Sequence, residues 1–155
     1  NHNITNERYY HIMQIQPLKN KDIKKLFDLY CQLTESEGDF EKMCKALDET
    51  KDNPMYKLFC VYDDDELIAT ASLTKCFDLT GDARYYYSME NFVVDEKHRG
   101  KGVGTFLIKE LESYVKEHNG SYINFTSSYS RKNAHAFYEK LGYAPDFVKG
   151  FKKVF

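Results

Sequence analysis

The segment HRGKGVGTF, residues 98–106, places three glycines at alternate positions directly before apolar residues with helical spacing. Each glycine adds backbone entropy that folding must remove, so this composition calls for a reason. A helix that begins here presents main-chain N–H groups at its positive end beside the cation of Arg99, and the missing Cβ atoms let a ligand approach the main chain. The segment therefore predicts an anion site, with a purely structural strand-to-helix turn as the alternative.

Two common phosphate-binding patterns do not describe this segment. The chain contains no G-x-x-x-x-G-K-[ST] sequence. The dinucleotide pattern G-x-G-x-x-G requires a third glycine where Thr105 stands, and Asn124, about 20 residues further on, is not the acidic residue that binds a ribose. The anion site therefore belongs to another class.

The segment resembles the loop signature of the GNAT family of N-acetyltransferases, with Arg99, Gly102 and Gly104 at the defining positions. The flanking sequence MENFVVDEKHRGKGVGTFLIKELESYV is similar to the strand, loop and helix around that signature. Further along, NAHAFYEKLGY matches the second recurring motif of the family at Asn133, Ala136, Phe137, Tyr138, Gly142 and Tyr143. The two motifs in this order make the resemblance specific over residues 88–143.

The resemblance implies an α/β (α+β) fold of the GNAT type over residues 1–155 as a single domain. Its sheet is expected to be mixed and mostly antiparallel, with helices on both faces. A central parallel strand pair is expected to splay apart so that coenzyme A inserts between the two strands.

The resemblance also implies acetyl-CoA as co-substrate and no metal. Its pyrophosphate is expected on the loop of Arg99, Gly100, Lys101, Gly102, Val103, Gly104 and Thr105. Its pantetheine arm is expected along Phe92, Val93 and Val94, with Thr126 and Ser127 on the opposite side and Asn133, Ala136, Phe137 and Tyr138 completing the site. A main-chain N–H near residues 92–94 is expected to face the thioester oxygen.

Two side chains are predicted to be catalytic. Tyr138 is the expected general acid for the leaving thiolate, because a phenol pKa near 10 lies close to a thiol pKa of about 8.5. Glu90, expected on the same strand face as Phe92, is the candidate for accepting the ammonium proton through water. The alternatives are a packed aromatic at Tyr138 and an ordinary exposed glutamate at Glu90.

Three other side chains are open to more than one interpretation. His98 and His135 are weaker candidates for the base, and His135 is expected to point to solvent. Asn133 either caps its helix or binds pantetheine.

The predicted function is acetyl transfer from acetyl-CoA to a primary amine of a small molecule by direct attack. The alternatives are acetylation of a protein N-terminus or lysine, and a coenzyme A-binding regulatory domain without turnover. Net charge is −2 with a pI near 6.2, so neither nucleic acid nor a membrane is an expected partner. A homodimer is compatible with the sequence.

The elements that position these residues follow from hydrophobic periodicity. Predicted strands lie around Ile12–Ile15 and at 56–63, 66–77, 83–94, 121–128 and 147–155, and predicted helices at 21–33, 39–50, 103–118 and 132–141. Asp39 or Gly38 is expected to cap the second helix. The strand–helix–strand unit over 88–127 predicts a right-handed parallel crossover.

Three remaining features are the cysteines, an acidic run and the first ten residues. The four cysteines, Cys31, Cys44, Cys60 and Cys76, lack metal-ligand spacing, so we expect buried free thiols and a cytoplasmic protein. The acidic run 63–66 is interpreted as a solvated turn, with cation binding as the alternative. The first ten residues are polar and are expected to be either a flexible end of the domain or a remnant of cloning.

Overall fold

A computed structural model describes residues 13–155 of the chain. The first ten residues, and the part of the first predicted strand at Ile12, lie outside the described residues. The described chain forms two compact units, of which the first ends at Asn124 and the second runs from Phe125 to Phe155. Among residues 13–155, no helix is both long and apolar enough to cross a membrane.

The first unit contains a five-stranded sheet with the strand order β1-β2-β3-β4-β5. The strands are β1 Met13–Gln16, β2 Tyr56–Asp63, β3 Glu66–Asp78, β4 Arg84–Val94 and β5 Gly120–Asn124. All neighbours pair antiparallel except β4 and β5, which are parallel. The mixed, mostly antiparallel sheet predicted from the sequence is thus confirmed.

Four α-helices accompany these strands in the described chain. They are α1 Ile23–Thr34, α2 Phe40–Thr50 and α3 Val103–Glu117 in the first unit and α4 Lys132–Lys140 in the second, with short 3₁₀ turns at Asn20–Asp22 and Glu96–His98. Asp39 caps α2 as predicted, because its carboxylate accepts a hydrogen bond from the Lys42 N–H at 3.0 Å.

Helices α1 and α3 lie on opposite faces of the sheet. The ring of Phe59 on β2 packs edge-on against Tyr114 of α3, with centroids 5.2 Å apart. The next residue, Cys60, belongs to the core cluster that contains Leu26 and Leu29 of α1. Because successive strand residues point to opposite faces, the two helices must cover different sides, as the sequence predicts.

A bulge interrupts β4 in the middle of its pairing with β3. Ser72 pairs with Glu90 and Thr70 pairs with Val93, so β4 carries one residue more than β3 across this stretch. Asn91 has φ of 55°, a left-handed conformation that asparagine tolerates better than most residues. Because of this extra residue, side chains after the bulge point to the face opposite the one that regular alternation would give them.

The prediction for the end of the chain is wrong. Residues 147–155 contain no strand, and β5 ends at Asn124 instead of continuing to residue 128. The apolar residues of FVKGFKKVF do not alternate with polar ones, and Gly150 interrupts the run, so the segment lacks the period of two that a half-buried strand needs. The parallel pair β4–β5 consequently lies at the edge of the described sheet and is not central.

Candidate active site

The glycine loop between β4 and α3 has the conformation that an anion site requires. Gly100 and Gly102 have φ of 72° and 85°, a region that residues with a Cβ atom rarely occupy. Gly102 is the N-cap residue of α3, and no side chain caps this helix end. The N–H groups of the first turn, at Val103, Gly104 and Thr105, therefore have no intrahelical partner and are directed at the space in front of the helix.

The cations of the loop are held in place by main-chain carbonyl groups. Arg99 donates from Nε to the carbonyl of Val94 at 3.0 Å, and Lys101 donates from Nζ to the carbonyl of Lys97 at 3.0 Å. Both residues are exposed, so both can reach solvent anions. The loop thus combines free N–H donors with two positive charges, which together favour a phosphate-like group.

The end of β4 offers a main-chain edge that β5 leaves unpaired. Pairing between the two strands ends at Ser88 and Asn124, although β4 continues to Val94. The N–H of Asp95 donates to Ile68 on β3 at 2.8 Å, so the N–H of the preceding residue, Val94, points away from β3. This part of β4 contains Phe92, Val93 and Val94, along which the resemblance to the GNAT family predicts the pantetheine arm.

The bulge separates two residues that the sequence places together. Tyr87 contacts Tyr114 of α3, whereas Val93 packs in the cluster with Leu26 and Leu29 of α1. Glu90 precedes the bulge and Phe92 follows its left-handed residue. Glu90 therefore lies on the α1 face and Phe92 on the α3 face, and the expectation of one shared face is wrong.

Glu90 itself is exposed and has polar neighbours on β4 and on β3. Its Oε1 accepts a hydrogen bond from the Ser88 hydroxyl at 3.3 Å, and its carbonyl accepts one from the Ser72 hydroxyl at 3.3 Å. The carboxylate thus sits next to the start of the unpaired β4 edge and remains open to water.

A stacked tyrosine pair continues the same face of the sheet. The rings of Tyr86 on β4 and Tyr122 on β5 are nearly parallel, with centroids 4.9 Å apart. Strand alternation puts Tyr86, Ser88 and Glu90 on one side of β4, and Asn124 pairs with Ser88. The α1 face therefore carries hydroxyl, amide, aromatic and carboxylate groups in one row.

In the second unit, Tyr138 lies among aromatic rings. Its ring centroid is 4.5 Å from that of Phe125, 5.2 Å from that of Phe137 and 6.1 Å from that of Tyr143. Burial raises the pKa of Tyr138 to about 12, while the positive charge of Arg131 acts in the opposite direction. The hydroxyl therefore remains protonated at any ordinary assay pH.

The other predicted residues of the second unit are more exposed. Thr126 is exposed and Ser127 is half-buried on the segment after β5, and Ala136 is exposed on α4. Asn133 lies inside the first turn of α4, whose N-cap residue is Arg131, so capping by Asn133 is ruled out and its predicted contact with pantetheine remains. His135 is half-buried and does not point fully into solvent as predicted.

The family comparison decides the class of this protein. Residues 20–143 match the model of the acetyltransferase (GNAT) family. The chain belongs to the GNAT family. Acetyl-CoA is the family's co-substrate, and acetyl transfer is its general reaction.

Solved structures resemble this GNAT chain along almost its whole length. A transcriptional regulator from Bacillus halodurans has a TM-score of 0.84 at 22% identity, with 92% of this chain and 99% of that chain covered. Glucosamine-6-phosphate N-acetyltransferase from Arabidopsis thaliana has a TM-score of 0.74 at 22% identity, with 91% and 97% covered. A GNAT family acetyltransferase from Staphylococcus aureus has a TM-score of 0.76 at 21% identity, with 92% and 98% covered. No curated protein matches the chain.

Two further predictions about this GNAT chain can be compared with the structure. All four cysteines are free, as expected, although only Cys60 is fully buried. In the acidic turn, Asp65 pairs with Lys19 at 2.7 Å and with Lys21, and these hydrogen bonds lower the pKa of Asp65 to about 2. Lysines already neutralise this carboxylate, which favours the interpretation as a solvated turn.

One polar cluster beside the glycine loop was not predicted from the sequence. Asp95 is buried, and its side chain pairs with Lys25 of α1. His98 is half-buried, and its Nδ1 has no hydrogen-bond partner among the described residues. The Asp95 carboxylate accepts a hydrogen bond from the N–H of Lys97, two residues further on. Because aspartate commonly caps a turn in this way, Asp95 at the end of a predicted strand was the sequence feature that could have indicated the cluster.

Proposed function

We propose that this protein transfers the acetyl group of acetyl-CoA to the primary amine of a small molecule by direct attack. The observation that carries the proposal is the glycine loop, where uncapped N–H groups and two cations stand next to the end of β4, which continues beyond its pairing with β5. A loop of this shape suits a pyrophosphate, and a strand end that β5 does not cover suits an extended chain that carries amide groups.

Different residues are proposed to bind different parts of acetyl-CoA. The loop from Arg99 to Thr105 holds the pyrophosphate, and the β4 edge from Phe92 to Val94 pairs with the pantetheine amides. Thr126, Ser127, Asn133, Ala136 and Phe137 are proposed to complete this binding site. Acetyl-CoA, when bound, supplies a thioester whose acyl carbon bonds to the amine nitrogen as its bond to sulfur breaks. The N–H of Val94, which points away from β3, is the proposed donor to the thioester oxygen.

Glu90 is proposed to accept the proton of the incoming ammonium through a water molecule. A carboxylate is a far weaker base than an amine of pKa about 10, so Glu90 is proposed to serve as a relay and electrostatic partner. Its exposure on the α1 face leaves room for that water, and Ser88 orients the carboxylate. The arrangement also stabilises a cationic acceptor before it loses its proton.

Tyr138 is proposed to protonate the leaving sulfur. With its pKa at about 12, the phenol is a weaker acid than the sequence predicts, and the difference from a thiol pKa of about 8.5 disfavours complete transfer. We propose that the hydroxyl first stabilises the developing thiolate by a hydrogen bond. The charge of Arg131, which lowers this pKa, assists the proton to follow.

The small-molecule acceptor is supported by the α1 face and by one structural relative. The row from Glu90 through Ser88 to the Tyr86–Tyr122 stack offers a carboxylate, hydroxyl groups and an aromatic surface to a compact cation. The relative from Arabidopsis thaliana is named for acetylating the amine of a sugar phosphate. A small polar amine is thus the acceptor class we propose, in a cytoplasmic enzyme whose four thiols are free.

A second function is favoured by a different relative. The neighbour from Bacillus halodurans is described as a transcriptional regulator, and its TM-score of 0.84 is higher than that of the two acetyltransferases above. The second function proposed for this chain is therefore a regulatory domain that binds coenzyme A without turnover. Acetylation of a protein N-terminus or lysine is the remaining alternative within the enzyme class.

The test is thioester consumption with a panel of acceptors that includes amino sugars, polyamines, amino acids, and peptides with free N-termini or lysines. We expect turnover with at least one small amine and none with the peptides. Turnover with peptides alone would reassign the acceptor, and binding without any turnover would favour the regulator.

Donor binding is tested separately by calorimetry. Gly104→Val introduces a bulky side chain into the first turn of α3, and we expect it to abolish acetyl-CoA binding. Lys109→Val is the matched control, because it places the same side chain on an exposed position of the same helix. Unchanged affinity in Gly104→Val would place the donor elsewhere.

A further inference from the structure

A charged side chain is buried where β4 leads into the glycine loop. The side chain of Asp95 is 1% exposed. One carboxylate oxygen pairs with the ammonium of Lys25 from α1, and the other accepts a hydrogen bond from the N–H of Lys97 at 3.0 Å. The ammonium also lies 4.0 Å from Glu66 Oε1 on β3, so it stands between two carboxylates.

Helix α1 contacts the same turn at a second point. The side-chain oxygen of Gln32 accepts a hydrogen bond from the N–H of Glu96 at 3.0 Å. Lys25 and Gln32 are seven residues apart, which places them two turns apart on one face of the helix. One helix face therefore holds two consecutive residues of the turn.

The turn that α1 holds is the one that presents the glycine loop. The N–H of His98 donates to the carbonyl of Asp95 at 2.8 Å, which closes the turn. The next residue, Arg99, donates back to Val94 at 3.0 Å. These two hydrogen bonds hold the start of the loop against the end of β4, on either side of the buried carboxylate of Asp95.

These contacts are not needed to fix α1 itself. Leu26 and Leu29 of α1 are fully buried in the core cluster and anchor the helix to the sheet. The ion pair instead joins α1 to a loop that is 70 residues away in sequence. Burial of a carboxylate costs free energy that the ion pair and the Lys97 N–H offset, and the pair adds specificity by fixing one conformation of the turn.

We propose that Lys25 and Gln32 are positioning residues for the donor: they clamp the turn at Asp95 and Glu96 and so hold the glycine loop in the conformation that binds acetyl-CoA. The inference rests on the proposed function for its ligand. In this proposal the clamp contacts neither the donor nor the acceptor. It raises the fraction of molecules whose glycine loop has the conformation that binds acetyl-CoA.

A metal ion is a poorer explanation of the same cluster. Glu66, Asp95 and His98 bring potential ligand atoms within 4.8 Å of one another. The ammonium of Lys25, however, pairs with Asp95 and stands 4.0 Å from Glu66, so a cation already occupies the position between these carboxylates. Lys25 thus serves both carboxylates of the cluster without a metal, and the Nδ1 of His98 is the atom left without a hydrogen-bond partner among the described residues.

Lys25→Met is the primary variant. It leaves Asp95 buried without its cation, so the turn must open to hydrate the carboxylate. If the binding conformation is then populated about one tenth of the time, the Kd for acetyl-CoA rises about tenfold. In turnover the KM for acetyl-CoA should rise in parallel while kcat at saturation stays near the wild-type value.

Three further variants control for stability and charge. Lys24→Met is the matched control, because Lys24 is exposed and pairs with Asp28 on the same helix at 2.8 Å; its Kd should equal that of the wild type. Lys25→Arg keeps the cation and should restore most of the affinity. Gln32→Ala should raise Kd in the same direction by less, and it tests the clamp even if Lys25→Met fails to fold.

Two comparisons separate failure of the clamp from failure of the proposed function. Asp95→Asn added to Lys25→Met keeps the cap but removes the unpaired charge, so it should bind more tightly than Lys25→Met alone. Hydrogen exchange of amides 96–105, measured without ligand, should be faster in Lys25→Met than in Lys24→Met. Equal exchange and equal Kd in the two lysine variants would overturn the clamp. Absence of acetyl-CoA binding in the wild type would overturn the proposed function, while the exchange result still judges the clamp.

Discussion

At the scale of single residues, a tyrosine that protonates a thiolate works best when its pKa is close to that of the thiol. Aromatic neighbours move Tyr138 away from that match and raise its pKa to about 12. The sequence could identify the residue from its motif but not this shift, because the shift depends on which rings enclose it. The consequence is a hydroxyl that acts first as a hydrogen-bond donor.

Tyr138→Phe removes the hydroxyl and keeps the ring, so packing against Phe125 and Tyr143 is retained. We expect kcat to fall by about 10²-fold, at the low end of the range for general acids, with the Kd for acetyl-CoA unchanged. Because the pKa of Tyr138 is raised to about 12, the wild type should show no alkaline loss of activity from this group below that pH. Stopped-time assays across pH provide the measurement.

Tyr129→Phe is the control for this experiment. Tyr129 lies in the same unit and is 95% exposed, so Tyr129→Phe removes the same hydroxyl group at a surface position. It should leave kcat unaltered. Equal turnover of Tyr138→Phe and Tyr129→Phe would reduce Tyr138 to a packing residue.

Glu90→Gln separates a base from a binder by its pH dependence. An amine of pKa about 10 is only roughly one part in a thousand unprotonated at pH 7, so a relay matters most there. We expect kcat/KM of the variant to fall at neutral pH and to recover toward the wild type near pH 9.5, where the acceptor supplies its own free base. Glu110→Gln, an exposed glutamate of α3, is the control.

The shape of the Glu90→Gln profile identifies the role. A loss that is uniform across pH would mean that the carboxylate binds the cationic acceptor. No loss at any pH would leave Glu90 an ordinary exposed strand residue and contradict the proposal.

At the scale of elements, periodicity was enough to predict where helices lie. The apolar stripe of α3, for example, is buried at Val103, Leu107, Leu111 and Val115 as its spacing predicts. Apolar residues recur at helical spacing over several turns, so one polar residue in the stripe does not obscure the pattern. The same repetition explains why the hairpin β2–β3 and its acidic turn were also predicted.

Features that depend on a single residue or on distant pairs were not predictable. The bulge at Asn91 adds one residue to β4, and that residue alone moves Phe92 to the face opposite Glu90. The Lys25–Asp95 pair joins positions 70 apart, and no local pattern indicates it. These two features determine the face on which each site residue lies and the conformation of the loop.

At the scale of the whole molecule, the family match crosses the boundary between the two compact units. Residues 20–143 include the glycine loop of the first unit and the Tyr138 motif of the second. A single domain over the chain therefore stays a prediction, and cooperativity of unfolding is the property that tests it.

Calorimetric unfolding with and without acetyl-CoA tests the domain and the donor site together. A ligand at 100 times its Kd stabilises the native state by about 2.7 kcal/mol. For a protein of this size such a gain corresponds to a rise in Tm of roughly 5 to 10 °C. If the chain unfolds as one cooperative domain, we expect a single transition that moves by this amount, and we expect the shift to be lost in Gly104→Val and kept in Lys109→Val. Two transitions, of which acetyl-CoA moves only one, would mean that the units unfold independently and that the donor stabilises one of them alone.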